Sequence, residues 1–154
     1  MNSYGLIDLH CDTLAEYWKY AHTGNPDTLD DPGRVLSLSN MPKDVHWAQF
    51  YAVFIPDEER GQAAIDYFEK NRANFYRQME KFGDRVAPCR NADDMEKAWA
   101  AGKTAAFLTI ENGSALAGDL SRVHTLAEQG VRAITLTWNG ENELGSGPTT
   151  DHGM

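Results

Sequence analysis

Two segments of this chain, Ala48–Ile55 and Thr104–Ile110, are apolar almost throughout and contain no charged residue. A strand of that kind is buried on both faces, which places it inside a sheet covered by helices. Helical patterns separate the strand candidates. Strand, helix, strand, helix in succession points to βαβ units, a parallel sheet and an α/β fold.

The other elements fit around these two. Leu6, Ile7 and Leu9 predict a short buried strand at the N-terminus. A helix is expected from Thr13 to Ala21, then a loop over 22–34 rich in Asp, Pro and Gly. Val35, Leu36 and Leu38 suggest a further strand. Pro56-Asp57 should end the central strand, with Asp57 as the N-cap of a helix running to about Phe82. In that helix Ala64, Phe68, Phe75, Met79 and Phe82 form one apolar stripe, interrupted by Arg72. Val86-Ala87 reads as a very short strand, and Asn91 as the cap of a second helix. That helix turns Met95, Ala98 and Trp99 inward and stops at Gly102 in the left-handed conformation. A third helix is expected to bury Leu116, Leu120, Val123 and Ala127 and to stop at Gly130. The next strand runs from Val131 to Thr137 and ends in Trp138-Asn139.

A length of 154 residues allows one domain with a proper core. The net charge of −9, with no Lys/Arg run, argues against nucleic acid and against anionic membrane surfaces. No apolar run reaches the ~18 residues of a membrane span, and the N-terminus has no signal-peptide pattern. Cys11 and Cys89 lack motif spacing and read as free thiols in a reducing compartment, most simply the cytoplasm.

Chemistry concentrates where strands end. His10 and Asp12 follow the first strand, Glu111 the strand from Thr104, and Trp138-Asn139 the last, all at one edge of a parallel sheet. Ligands of such sheets lie beyond the carboxyl ends of the strands. Side chains two apart on an extended segment share a face, so His10 and Asp12 converge, with Cys11 packing on the other face. Imidazole nitrogen and carboxylate oxygen are both zinc ligands. Glu111 follows seven uncharged residues, and a carboxylate there needs a pairing partner or a cation. It could also bridge two metal ions. A hydrogen-bonded His10–Asp12 pair, with Glu111 as a helix cap or in a salt bridge, is the plain alternative. His22 and His124 read as surface residues and His46 as structural. His152 matches no ligand position.

These segments together resemble the renal (membrane) dipeptidase family of zinc peptidases. The family's Asp-x-His-x-Asp strand end is matched by Asp8-Leu9-His10-Cys11-Asp12, and its bridging glutamate followed by Gly by Ile110-Glu111-Asn112-Gly113. Gly130-Val131-Arg132-Ala133-Ile134-Thr135-Leu136-Thr137 matches the next strand, and Ala48–Phe54 is similar to the family's second. The resemblance implies a (β/α)8 TIM-type barrel that hydrolyses dipeptides with a zinc-activated bridging water. His10, Asp12 and Glu111 would be zinc ligands, and Glu111, shared between two zinc ions, would be the catalytic carboxylate. Trp138 would be a substrate-binding residue, standing where the family often has His.

The family's other two zinc-ligating histidines lie beyond the fourth or fifth strand, whereas this sequence stops at Met154. A full barrel takes at least about 200 residues. Residues 1–154 are therefore expected to be the N-terminal part of one hydrolase barrel, with about four core parallel strands and two open edges. The missing C-terminal half, or a homodimer, would cover those edges. Other readings are an inactive half-barrel, a binding or assembly module, or another barrel amidohydrolase. Many amidohydrolases use His-x-His on the first strand, and this chain has His-x-Asp.

Overall fold

The structure, a computed structural model, describes residues 4–14 and 28–151. Five strands form one sheet: β1 Gly5–Cys11, β2 His46–Phe54, β3 Val86–Pro88, β4 Thr104–Glu111 and β5 Val131–Thr135. Every pairing is parallel. The helices are α1 Gln62–Lys81, α2 Ala92–Ala100 and α3 Arg122–Glu128, with 3-10 turns at Thr28–Asp30 and Gly113–Leu116. β2 runs along one side of β4. On the other side, β3 pairs with Thr104–Ala106 and β5 with Leu108–Glu111. The long strands thus follow one another as β1-β2-β4-β5, the order in which a (β/α)8 barrel begins.

The β2–β4 register fixes the two faces of the sheet. Ala48, Phe50, Ala52 and Phe54 lie opposite Ala105, Phe107, Thr109 and Glu111, while Tyr51 and Val53 lie opposite Leu108 and Ile110. The Tyr51 face is covered by α1 and α3, whose Phe68, Phe75, Met79 and Leu126 join Tyr51, Val53, Leu108 and Ile110 in the main core. Fully burying one such side chain is worth about 1.5–3 kcal/mol, so this layer dominates stability. The opposite face receives α2 at its N-terminal end, where Met95, Ala98 and Trp99 pack on Ala48, Ala105 and Phe107. At its C-terminal end stand Phe54 and Glu111.

The strong sequence patterns match the structure. Asn91 caps α2 by accepting the Asp94 N–H at 2.8 Å, and Gly102 closes that helix at φ 69°. Ala64, Phe68, Phe75 and Met79 are buried on α1, and Asn71 takes the inward place between them, leaving Arg72 to pair with Glu69.

Weaker patterns fail for identifiable reasons. α1 starts at Gln62 behind Gly61, at φ 54°, and Asp57 is not its cap. Val35, Leu36 and Leu38 form no strand. They lie in a turn-rich segment held by Asn40, which donates to the Pro32 and Arg34 carbonyls, and Val35 is 95% exposed. The expected third helix breaks where Ala117 (φ 50°) and Gly118 (φ 74°) turn left-handed. Only Leu126 of α3 is buried, while Leu120 and Val123 face solvent. β5 ends early because the Leu136 carbonyl turns away to accept from Gly113 N–H and the Asn142 amide. Leu6, Ile7 and Leu9, expected to be buried, are exposed, since among the described residues β1 pairs only with β2 and forms an edge. Most of the Thr13–Ala21 segment, His22 and His152 lie outside the described residues. Among the described residues, no helix is long and apolar enough to cross a membrane.

Candidate metal centre

β1 does not run evenly into the site. Asp8 pairs with Gln49 but Cys11 pairs with Tyr51, so three steps on β1 match two on β2. That is a β-bulge, with one extra residue between Asp8 and Cys11. Its effect on direction is large, because a one-residue slip exchanges the faces of a strand. Gln49 and Tyr51 share the helix-covered face. Strict alternation from Asp8 would have put His10 on that face too. The bulge instead gives the place to Cys11, which is buried in the main core, and leaves His10 and Asp12 on the face of Glu111. Asp8 closes the bulge: its Oδ1 accepts the His10 backbone N–H at 3.1 Å.

His10, Asp12 and Glu111 then converge. His10 Nε2 lies 3.3 Å from Asp12 Oδ1 and 3.6 Å from Glu111 Oε2, and one donor atom from each residue falls within 4.8 Å of the others. Two donors each ~2.1 Å from one ion, at the tetrahedral angle, stand about 3.4 Å apart. The observed spacing therefore fits a small divalent cation, as does the donor set of one imidazole and two carboxylates. Burial pushes the Glu111 carboxyl above its usual range; the His10 imidazole opposes this, and the Asp12 charge adds to it. A cation would relieve the penalty that burial and Asp12 place on its ionised form. The Cys11 thiol is pushed up to about 11, chiefly by burial, which fits a packed residue rather than a ligand.

Trp138 also comes to this rim. Its ring meets Phe54 edge-on at 4.7 Å, and Phe54 is the cross-strand partner of Glu111. A hollow of about 550 Å³ opens beside His10 and Asp12 and is walled by Thr13, Arg34, Val35 and Leu36. His46 sits at the opposite, N-terminal end of β2, against Trp99, and His124 is exposed on α3.

Sequence reasoning missed the scaffold that fixes Glu111 from behind. Asn112, at φ 75°, is fully buried; its amide donates to the Ile55 carbonyl at 2.8 Å and to Asp57 Oδ1 at 3.3 Å. Its Oδ1 accepts from Ser114 Oγ and Asn142 Nδ2, both at 2.8 Å. Asp57 in turn accepts the Gly140 N–H at 2.8 Å, so it joins loops rather than capping a helix. Gly113 follows for lack of room: a Cβ there would stand 2.5 Å from Leu144 Cδ1 and 3.0 Å from the Leu136 carbonyl oxygen. The signal available in the sequence was Asn-Gly immediately after an apolar strand, a turn pattern.

The model of the family described as membrane dipeptidase (peptidase family M19) matches residues 1–154. Solved structures with the same fold include dipeptidase AC, a family M19 metallopeptidase, at TM-score 0.77 and 19% identity over 92% of this chain. A metallopeptidase from Rhodobacter sphaeroides, bound to a phosphinate mimic of the dipeptide L-Ala-D-Ala, matches at TM-score 0.77 and 17% identity, also over 92% of the chain. A probable dipeptidase from Pseudomonas aeruginosa matches at 0.69 and 20% identity over 88%. The chain spans 45%, 47% and 35% of these three proteins, so its sheet corresponds to one part of their barrels.

Proposed function

The chain belongs to the membrane dipeptidase family, peptidase family M19, and from that premise we propose that residues 1–154 are the first part of a single dipeptidase barrel carrying its first metal site. The convergence of His10, Asp12 and Glu111 at the carboxyl ends of β1 and β4 carries this reading. Zinc is the proposed ion, and Glu111 would be the carboxylate shared with a second one. Bound zinc supplies Lewis acidity, which makes water nucleophilic near neutral pH and polarises the peptide carbonyl under attack.

The chain's own residues would do the rest. His10 would offer a ring nitrogen, and Asp12 and Glu111 carboxylate oxygens, to hold the cation. The buried network behind Asn112 holds Glu111 in place. Trp138 against Phe54 gives an apolar wall for one residue of a dipeptide, the proposed substrate. The two buried free thiols, Cys11 and Cys89, fit a reducing compartment such as the cytoplasm. The exposed apolar side chains of β1 would be covered by the barrel half that the matched dipeptidases have and this chain does not span. A homodimer would reveal itself as a doubled mass in size exclusion.

The second reading, another barrel amidohydrolase, draws on an amidohydrolase from Pseudomonas aeruginosa, which matches at TM-score 0.57 and 23% identity over 68% of this chain. His-x-Asp in place of His-x-His favours the dipeptidase. The deciding experiment measures zinc content and dipeptide turnover of this chain beside a version extended past Met154. Zinc in both with turnover only in the longer one is expected. No metal in either removes the reading and leaves an inactive or binding module.

A further inference from the structure

We propose that Asp8 is the positioning residue of the metal centre: it pins the β1 bulge by accepting the His10 N–H, and so turns His10 toward Glu111. The inference rests on the metal reading above for its functional meaning, but its geometry is independent of it.

Asp8 stands on the strand face opposite to His10, Asp12 and Glu111, because its partner Gln49 shares the face of Tyr51. Although it belongs to the same Asp-x-His-x-Asp stretch, it is not one of the converging donors. Its role is visible in the ladder instead. The extra residue between Asp8 and Cys11 takes the backbone out of register with β2. Bulges leave backbone groups unpaired, and an aspartate oxygen reaching two residues onward is a common way to satisfy one. Asp8 Oδ1 does this for the residue whose direction the bulge decides, at 3.1 Å. Burial of Cys11 in place of His10 also favours the bulge, and the Asp8 acceptor adds the hydrogen bond that holds its extra residue in place. A regular ladder from Asp8 would carry His10 to the face of Tyr51 and Leu108 and away from Glu111.

The role requires an oxygen acceptor at the right distance, not a negative charge, which gives two conservative variants of opposite meaning. Asp8→Asn keeps the acceptor and loses the charge. Asp8→Glu keeps the charge and moves the acceptor by one methylene. Co2+ titration followed by visible absorption reads metal affinity and geometry together. Hydrogen exchange of the His10 amide in the metal-free chain reads the bulge alone.

Asp8→Asn is expected to hold affinity within a few-fold of the parent with the His10 amide still protected. Asp8→Glu is expected to lose about 10-fold or more, the usual cost of disturbing a group that orients a ligand, and to lose the protection. The proposal is overturned when Asp8→Glu keeps both, or when Asp8→Asn loses affinity and protection as Asp8→Glu does. Should the parent take up no Co2+ while the His10 amide still follows the acceptor, the metal reading fails and the positioning of His10 stands.

Discussion

Glu111 and Asn112 are neighbours in sequence at the end of β4, and they belong to polar clusters of opposite design. Asn112 is fully buried, and both ends of its amide are engaged, by Ile55, Asp57, Ser114 and Asn142. Its cluster contains its own donors and acceptors and needs nothing from outside. Glu111 is part-exposed and faces another carboxylate, with one imidazole between them. Its cluster is short of positive charge, and burial makes that shortage costly. One cluster holds the chain together; the other, on the function proposed above, would hold a cation. Their adjacency lets the first make the second rigid.

The contrast breaks most sharply if the two residues respond alike to mutation. In a version extended past Met154, Glu111→Gln or His10→Ala should abolish metal-dependent dipeptide hydrolysis, and retained turnover would sink the site. In the metal-free chain the same Glu111→Gln should raise the thermal midpoint at neutral pH. The sign follows from the raised pKa: Glu111 contributes stability below its unfolded value, near 4.5, and loses it as pH rises through the higher folded one. The variant should therefore flatten that part of the stability–pH curve.

Asn112→Ala should act in the other direction. It strands buried partners and leaves alanine at φ 75°, a combined cost of about 3 kcal/mol in chemical denaturation. A loss below about 1 kcal/mol would mean that the network does not hold the loops together.

The smallest effect calibrates the other two. Asp30 and Arg85 form a two-point ion pair, at 2.9 and 2.6 Å, that ties the 3-10 turn to the start of β3. Arg85 holds the Asp30 carboxyl below its usual range. Its contribution is thus present above the unfolded value of 3.8 and is lost as pH falls through the lower folded one. Asp30→Asn should cost no more than about 1 kcal/mol at pH 7, as for other part-exposed pairs, and nothing once Asp30 is protonated. A persistent loss in acid would place the cost in packing rather than charge.

The sequence by itself determined the class of fold and pointed to the three residues that meet at the candidate site. Uncharged, β-branched and aromatic runs such as Thr104–Ile110, alternating with helical patterns, fit interior strands, and polar residues right after parallel strands emerge at one edge of the sheet. Local caps were legible for the same reason: Asn91 and Gly102 act on atoms a few residues away. The tertiary structure decided what depends on partners distant in sequence. It exposed Leu6, Ile7 and Leu9, because edge position is a property of the sheet and not of the strand. It broke the Leu116–Ala127 helix at Ala117, and it took Asp57 from a helix cap to a tie between loops, since Gly140 and Asn112 are its partners only in space. It also chose the face of His10. Two-residue spacing in sequence puts Asp8, His10 and Asp12 together, and only pairing with β2, through one extra residue, separates the first from the other two.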